Sequence, residues 1–492
     1  MKEVVVIGSG FAGLSAACFL AKAGYSVRVL EKHATPGGRC RVLVQDGFRF
    51  DMGPSWYWMP DVFDHFFRSF GKKTSDYYTL HRLDPSYRVF FSGETWDIPA
   101  GTEALGNFLE NHEKGAKKKL DLFMEEAKYK YDVGMGSLVY KPGRSIREFA
   151  DWRIIKSLFR LDLFKGMSGH LHRFFRDRRI LHLLEFPVLF LGAKPPQTPA
   201  LYSLMNYADI VLGTWYPTGG MYEIVKAMCL LAADLGVKFD FNTEVMGMSI
   251  EKNKVTKLTT TNGMFHADIV VGGADYHHIE NKLLPEGYRN YSEEYWESRT
   301  MAPSSLLFYL GLNKKVPGLL HHNLFFDADF DTHASAIYDT PEWPEKPLFY
   351  TSCTSLSDTT VAPEGMENLF ILIPLAPGLN DNETMREEQY NRVMERLERR
   401  FGEELRSHVV VKRSYAMLDF VKDYHSFKGN AYGLANTLRQ TAILKPSIKN
   451  KKLRNLYYTG QLTVPGPGVP PALISGEVVS RQIIKDHPIG TR

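Results

Sequence analysis

VVVIGSGFAG, Val4 to Gly13, decides the fold. Val4-Val5-Val6-Ile7 is a continuous β-branched and aliphatic run, the pattern of a strand buried on both faces of a parallel sheet. Gly8, Gly10 and Gly13 follow at GxGxxG spacing. Leu14, Ala17, Cys18, Leu20 and Ala21 then recur at helical spacing, and Gly24 suits the residue just past that helix. Val27-Arg28-Val29-Leu30 is a second strand, ending in Glu31, 18 residues after Gly13. Strand, glycine turn, helix, strand and terminal acid make the dinucleotide-binding unit in its required context. Gly8 permits the tight turn, Gly10 lets backbone approach a pyrophosphate, and Gly13 lets helix and strand pack closely. The helix N-terminus faces the phosphates with its partial positive charge, and Glu31 can accept from ribose hydroxyls.

The residues after Glu31 choose the dinucleotide. Lys32-His33-Ala34-Thr35-Pro36-Gly37-Gly38-Arg39 resembles the GGR element of flavoproteins in the amine oxidase and desaturase superfamily. The resemblance implies FAD, with Gly38 crossing it and Arg39 near its phosphates. Phe50-Asp51-Met52-Gly53-Pro54-Ser55-Trp56 resembles that superfamily's D-x-G-x-x segment, which places Gly53, Pro54 and Ser55 beside the flavin.

Composition narrows the alternatives. The 492 residues suffice for two or three domains, and 44% hydrophobic with 24% charged residues is ordinary for a globular chain. A balance of 60 basic against 56 acidic residues gives +4, too little to imply nucleic acid. The four cysteines, Cys18, Cys40, Cys229 and Cys353, lack CxxC spacing, which predicts neither a disulfide framework nor a zinc site. The glycine spacing argues against reading the N-terminus as a signal peptide. No uncharged apolar run approaches the ~20 residues of a membrane span.

Farther along, Tyr87–Ile98 predicts a hairpin turning at Ser92-Gly93, followed by helices over Glu103–Glu110 and Lys117–Tyr131. From Arg144 to His182, ten basic residues face four acids, with Leu158, Phe159, Leu161, Phe164, Phe174 and Phe175 among them, before the apolar block Phe186–Leu191. Basic helices with aromatic faces suit an anionic membrane surface, and an ordinary solvated face is the competing reading. A helix over Met221–Leu235, strands over Lys238–Asn242, Val245–Ile250 and Val255–Thr260, and the buried run Ala267–Asp275 return the chain to the nucleotide domain. Near the C-terminus, Asn455–Gly460 predicts the last parallel strand. TVPGPGVPPALISG, Thr463–Gly476, then predicts a stiff loop leading into a helix over Ala472–Val479. Gly460, Gly466 and Gly468 allow backbone to lie against a flat ring, and the helix would point its N-terminus at the flavin pyrimidine edge.

The expected architecture is α/β: a Rossmann-like FAD-binding domain in discontinuous segments, plus a mixed α+β substrate domain with a helical, membrane-associating part. The expected boundaries are 1–87, 216–280 and 426–492 for the FAD-binding pieces, 88–215 for the membrane-associating part and 281–425 for the substrate domain.

Nearly the whole chain resembles the bacterial-type phytoene desaturases, and closely their Bacteroidetes-like members. Gly8–Gly13, Gly37–Arg39, Asp51–Trp56, Tyr216–Gly220, Ala362–Gly365, Lys428–Gly433 and Thr463–Gly468 carry the resemblance. Many members read GTHPGAGIPG in the last element. Here Val464 stands for the histidine, and Pro467 and Pro471 for an alanine and a glycine, which removes any mechanism needing a histidine there. The resemblance implies FAD-dependent dehydrogenation of an acyclic C40 carotenoid, phytoene toward lycopene, with Val245, Gly460, Gly466, Val469 and Pro470 joining the cofactor contacts. The flavin carries the chemistry, so no catalytic side chain and no metal is expected, and the electron acceptor is left open between oxygen and a quinone. The expected location is cytoplasmic, peripheral on the inner face of the cell membrane.

Tyr57, Trp58, Phe63, Phe66, Phe67, Tyr207, Trp215 and Tyr216 are candidates for a polyene tunnel or plain core. Asp275 is expected to cap a helix, and His277-His278 and His321-His322 to be structural. Three alternatives stand beside phytoene desaturation: a 1-hydroxycarotenoid 3,4-desaturase, a flavin amine oxidase, and a non-catalytic prenyl-binding chaperone like the GDP dissociation inhibitors.

Overall fold

The structure is a computed structural model that describes residues 2–145, 148, 162, 165–189 and 192–489. The strand that opens the chain, Glu3–Ile7, lies at the centre of a five-stranded parallel sheet. Its neighbours are Ser26–Leu30 and Ile269–Gly272, and the edges are Lys238–Asp240 and Leu456–Tyr458. Val4, Val5 and Val6 are all buried because both faces are covered, which is why the run shows no alternation. On one face lies the first helix, Phe11–Lys22, backed by the helix Tyr222–Asp234 and the C-terminal helix. On the other lies the antiparallel meander Val245–Glu251, Lys254–Thr260 and Gly263–His266, whose Val245 and Leu258 share a core with Ile7 and Leu30.

The C-terminal helix runs from Val469 to Asp486, longer at both ends than the expected Ala472–Val479. Gly468 caps it, so Pro470 and Pro471 stand inside the first turn, where a missing N–H breaks no intrahelical bond. Gly476 allows this helix to touch the first: a Cβ there would sit 2.5 Å from the Ala12 carbonyl oxygen.

A second, seven-stranded sheet is ordered Val409–Tyr415, Ser304–Leu312, Glu367–Leu375, Phe349–Ser352, His322–Phe326, Tyr87–Phe91 and Thr95–Ile98. All its pairings are antiparallel except that of His322–Phe326 with Tyr87–Phe91. One face packs under the helix Glu383–Phe401, with Val393, Met394 and Leu397 against Phe308, Leu310 and Ile371. The opposite face meets two shorter helices, Arg178–Leu189 and Phe330–Tyr338. Among the described residues no helix is long and apolar enough to cross a membrane. Most of the expected basic segment, including Arg147, Arg153, Lys156, Leu158, Phe159, Arg160, Leu161 and Phe164, and also Phe190 and Leu191, lies outside the described residues.

Candidate functional site

The three glycines of the first turn have separate reasons. Gly8 has φ +92°, a backbone conformation that L side chains rarely adopt. A Cβ on Gly13 would overlap the Gly8 carbonyl oxygen, so Gly13 is needed for the helix to sit on the strand. A Cβ on Gly10 would meet only the Gly38 Cα, at 4.0 Å. Gly38 has φ +56°, and its own Cβ would come within 3.2 Å of Gly10 Cα. The two expected phosphate loops therefore lie glycine against glycine, tied by the Gly37 N–H donating to the Ser9 carbonyl at 2.9 Å.

Glu31 is 4% exposed and holds this turn. Its Oε2 accepts from the Ser9 N–H at 2.8 Å and the Ser9 hydroxyl at 2.6 Å, and its Oε1 accepts from the His33 N–H at 2.9 Å. A carboxylate offers about four lone-pair positions, so Oε1 keeps acceptor capacity for a ribose hydroxyl. Sequence reasoning gave Glu31 the ligand role alone and missed its clamp on Ser9. Val245 starts its strand directly beyond this region, buried against Leu30.

Arg39 reaches across to the C-terminal piece. Its guanidinium donates to Ser426 Oγ at 3.0 Å and more weakly to the Asn430 carbonyl, while its buried Nε has no protein partner. Burial pulls its pKa down, and nearby Asp275 opposes that. Asp275 caps the short helix after the third central strand, accepting from the His278 N–H at 3.2 Å. Asn430 Oδ1 in turn accepts from Gln461, so Lys428–Gly433 and Gly460–Gln461 are joined. Gly460 donates its N–H to Ser475 on the C-terminal helix at 2.9 Å.

Gly53 is a packing glycine, its missing side chain leaving room for the Arg39 carbonyl. Pro54 follows it in the short link to Ser55. Asp51 accepts from the Met221 N–H at 2.8 Å and the Tyr222 N–H at 3.2 Å. It thus caps the helix that begins after Thr218-Gly219-Gly220, and burial pushes its pKa up to about 6. Gly466 has φ +138°, Val469 and Pro470 begin the C-terminal helix, and Val464 is buried.

Beside these loops lies a small apolar cleft of about 60 Å³ on the seven-stranded sheet. Leu324 and Phe326, Leu348 and Tyr350, and Leu372 and Pro374 line it by alternation, one face of three adjacent strands; Phe186, Phe330 and Tyr338 close it from the helices. Its polar groups are turned into the protein. His333 Nε2 donates to the Pro374 carbonyl at 2.9 Å and its Nδ1 accepts from the Leu348 N–H at 2.9 Å; burial lowers its pKa to about 4, so the ring is neutral. The Tyr338 hydroxyl donates to the Leu189 carbonyl at 2.8 Å. The Tyr350 hydroxyl donates to Ser55 Oγ at 3.0 Å and lies 2.6 Å from His322 Nδ1. Trp56 stacks on His322 at 4.1 Å and touches both Tyr350 and Phe186. The cleft therefore ends on Ser55–Trp56, the segment that the sequence assigns to the flavin.

None of the aromatics read as tunnel lining or plain core is among the residues lining this cleft. Tyr57 stacks on Phe63 in the core, and Tyr57 and Phe67 each meet Tyr78 edge-on there. Helical and loop aromatics were read by type, whereas the cleft is made by strand alternation in Leu324–Phe326 and Leu348–Tyr350. His277 pairs with Glu293 and His278 stacks on His425, as structural groups do.

The flavin containing amine oxidoreductase family profile matches residues 11–484. The chain is 40% identical over 487 residues to the carotenoid 3,4-desaturase of Haloarcula japonica, spanning 99% of this chain and 98% of that one. It is 31% identical over 494 residues to the zeta-carotene-forming phytoene desaturase of Myxococcus xanthus, across 98% and 94% of the two chains. A solved structure of an oxidoreductase from Methanosarcina mazei shares the fold, with a TM-score of 0.64 at 16% identity over 98% of this chain and 100% of that one.

Proposed function

Because the chain belongs to the flavin containing amine oxidoreductases, and among them to the FAD-dependent carotenoid desaturases, we propose that it dehydrogenates an unsubstituted acyclic C40 carotenoid, phytoene, stepwise toward lycopene. Gly8, Gly10, Gly13, Gly38, Arg39 and Glu31 would hold the nucleotide half of FAD. Gly53, Pro54, Ser55, Val245, Gly460, Gly466, Val469 and Pro470 would border the rest. Three features fit such a ligand: the open side of Gly10, the unpartnered Arg39 Nε and the spare capacity of Glu31 Oε1.

FAD, when bound, accepts hydride from an allylic carbon. The chain's own part is to hold an apolar rod in line and to exclude water. The observation that carries the substrate reading is the cleft wall, where His333, Tyr338 and Tyr350 all spend their hydrogen bonds inward. A wall with no polar handle favours a hydrocarbon, whereas a site built around a hydroxyl leaves a partner waiting for it. A second reading, 3,4-desaturation of a hydroxylated carotenoid, is favoured by the 40% identity to the Haloarcula japonica enzyme. The prenyl-binding chaperone alternative falls, since the full-length relatives are named desaturases. A substrate dissolved in lipid supports reading the enzyme as peripheral on a membrane surface, and a cytoplasmic protein would meet that surface on its inner face.

Expression in a host that accumulates colourless phytoene tests the choice. Red, lycopene-like products are expected. Unchanged phytoene, under conditions where a hydroxylated C40 carotenoid gains one double bond, would give the function to the second reading.

A further inference from the structure

Lys445 is 5% exposed, and its ammonium nitrogen has no hydrogen-bond partner. Asn436 is 6% exposed, and its Oδ1 is likewise unpartnered. Buried polar groups in folded proteins are nearly always satisfied, so two such groups together point to a missing partner. They also converge. A Cβ built on Gly466 would lie 2.9 Å from Asn436 Oδ1 and 3.2 Å from Lys445 Nζ. A donor and an acceptor thus meet at one glycine, in the loop Thr463–Gly468 that precedes the C-terminal helix.

That helix start is poor in donors. Of its first three residues, Val469, Pro470 and Pro471, only Val469 carries an N–H, and the Ala472 N–H already donates to the Gly468 carbonyl at 3.0 Å. The positive end of a helix resides largely on unsatisfied N–H groups, so here it is weakened. A helix pointing this start at the flavin pyrimidine edge would bring it fewer free N–H groups than an ordinary helix.

We propose that Lys445 and Asn436 together receive the imide edge of the flavin ring, Lys445 donating to its C2 carbonyl and N1 side and Asn436 Oδ1 accepting from its N3–H, so that a lysine supplies the positive charge that the proline-blocked helix lacks. The inference rests on reading Thr463–Gly468 as the loop that closes over the flavin. The edge alternates acceptor and donor, as the two side chains do in complement. Reduction puts negative charge on that edge, and a cation beside it favours the reduced form. Burial alone, with no carboxylate nearby, pushes the lysine pKa down to about 7, so the site as it stands holds the group close to its point of ionisation.

The test is the midpoint potential of the bound flavin in the purified holoenzyme, by equilibration with reference dyes, alongside FAD content. Lys445→Met fits the same space and removes an unpaired buried amine, so the fold is expected to survive. FAD content should stay near one per chain. The reduction equilibrium should fall at least tenfold, about 30 mV for a two-electron couple. Lys445→Gln, which keeps a donor without charge, should show the same fall, and it carries the measurement if the Met variant sheds its flavin. Lys445→Arg should recover most of the loss. An unchanged potential with full FAD in Lys445→Met or Lys445→Gln would overturn the role of Lys445 and leave the flavin site standing. A wild-type protein that takes up no FAD would overturn the flavin-loop reading and this inference with it.

Discussion

The two ends of the site are finished to different degrees. At the nucleotide end, Ser9, Glu31 and His33 bond to one another and Gly37 bonds to Ser9, so the glycine turn has its shape from protein contacts, with the Arg39 Nε left unpartnered beside it. At the ring end, Lys445 Nζ and Asn436 Oδ1 have no protein partner. A preorganised cradle gives affinity by ordering nothing on binding. An incomplete pocket keeps its charge for a ligand, and its empty form carries a desolvation cost. One end should therefore fail through the fold when altered, and the other through its electrostatics.

The sharpest break in that comparison lies inside the glycine turn itself. Gly13→Ala would force Cβ onto the Gly8 carbonyl, which is backbone and cannot swing aside. It should cost about 3 kcal/mol or more in chemical denaturation of the apoprotein. Gly10→Ala meets only Gly38 Cα at 4.0 Å, so the apoprotein should keep its stability within about 1 kcal/mol. Its methyl would instead occupy space assigned to the pyrophosphate, and FAD content should fall. Equal losses of stability in the two variants would show that Gly10 faces protein and not ligand.

The next effect belongs to the ring end and depends on pH. The pKa of Lys445 drops from 10.5 to about 7 on burial. Between those values the unfolded chain holds a proton that the folded apoprotein lacks, so stability rises with pH across this window and falls as pH drops toward 7. Removing the amine in Lys445→Met removes that penalty. The variant apoprotein should be more stable than wild type at pH 7, by an amount on the order of a few kcal/mol, with most of the gap closed by pH 10. Loading both proteins with FAD should narrow the gap at pH 7, because the ammonium then has an acceptor. A gap of constant size from pH 7 to 10 would mean that the lysine does not titrate in this range.

The same contrast explains what the sequence revealed. The nucleotide unit was legible because each local signal, from the β-branched run Val4–Ile7 to Gly8, Gly13 and Glu31, agreed with one short βαβ fold. The reading of Gly37–Arg39 and Asp51–Ser55 as flavin-side loops rests on a family resemblance; the fold brings Gly38 against Gly10 and Gly53 against the Arg39 carbonyl. Lys445 was not legible, because nothing local distinguishes a buried lysine from a surface one; its meaning comes from Gly466 and Asn436, which the fold brings to it. The cleft was missed because Leu324, Phe326, Leu348 and Tyr350 become one wall only when two strands pair in register. The C-terminal helix runs beyond Ala472–Val479 at both ends; Pro471 suits its first turn from sequence alone, and Val469 and Pro470 join it because a helix start needs no N–H from a proline there.

The smallest expected effect lies at the margin of the site, on the basic face that would meet lipid. Arg179 is already engaged: it pairs with Asp177 and Glu94 and lies 5.1 Å from the Trp96 ring centroid. Reversing its charge would disturb packing and confuse the reading. Arg176 and Arg178 are exposed and are the cleaner pair. A basic residue near an anionic bilayer contributes about 1 kcal/mol, and the contribution fades beyond a Debye length of about 10 Å at 0.1 M salt. The double variant Arg176→Glu, Arg178→Glu should therefore bind vesicles rich in anionic lipid at least tenfold more weakly at low salt. Its binding to zwitterionic vesicles should match wild type, and the difference on anionic vesicles should shrink in 0.5 M salt. FAD content and thermal midpoint should not move, because both side chains are exposed. Equal sedimentation of variant and wild type with anionic vesicles at low salt would leave this stretch as an ordinary solvated face, and the lipid-dissolved substrate would have to enter by another surface.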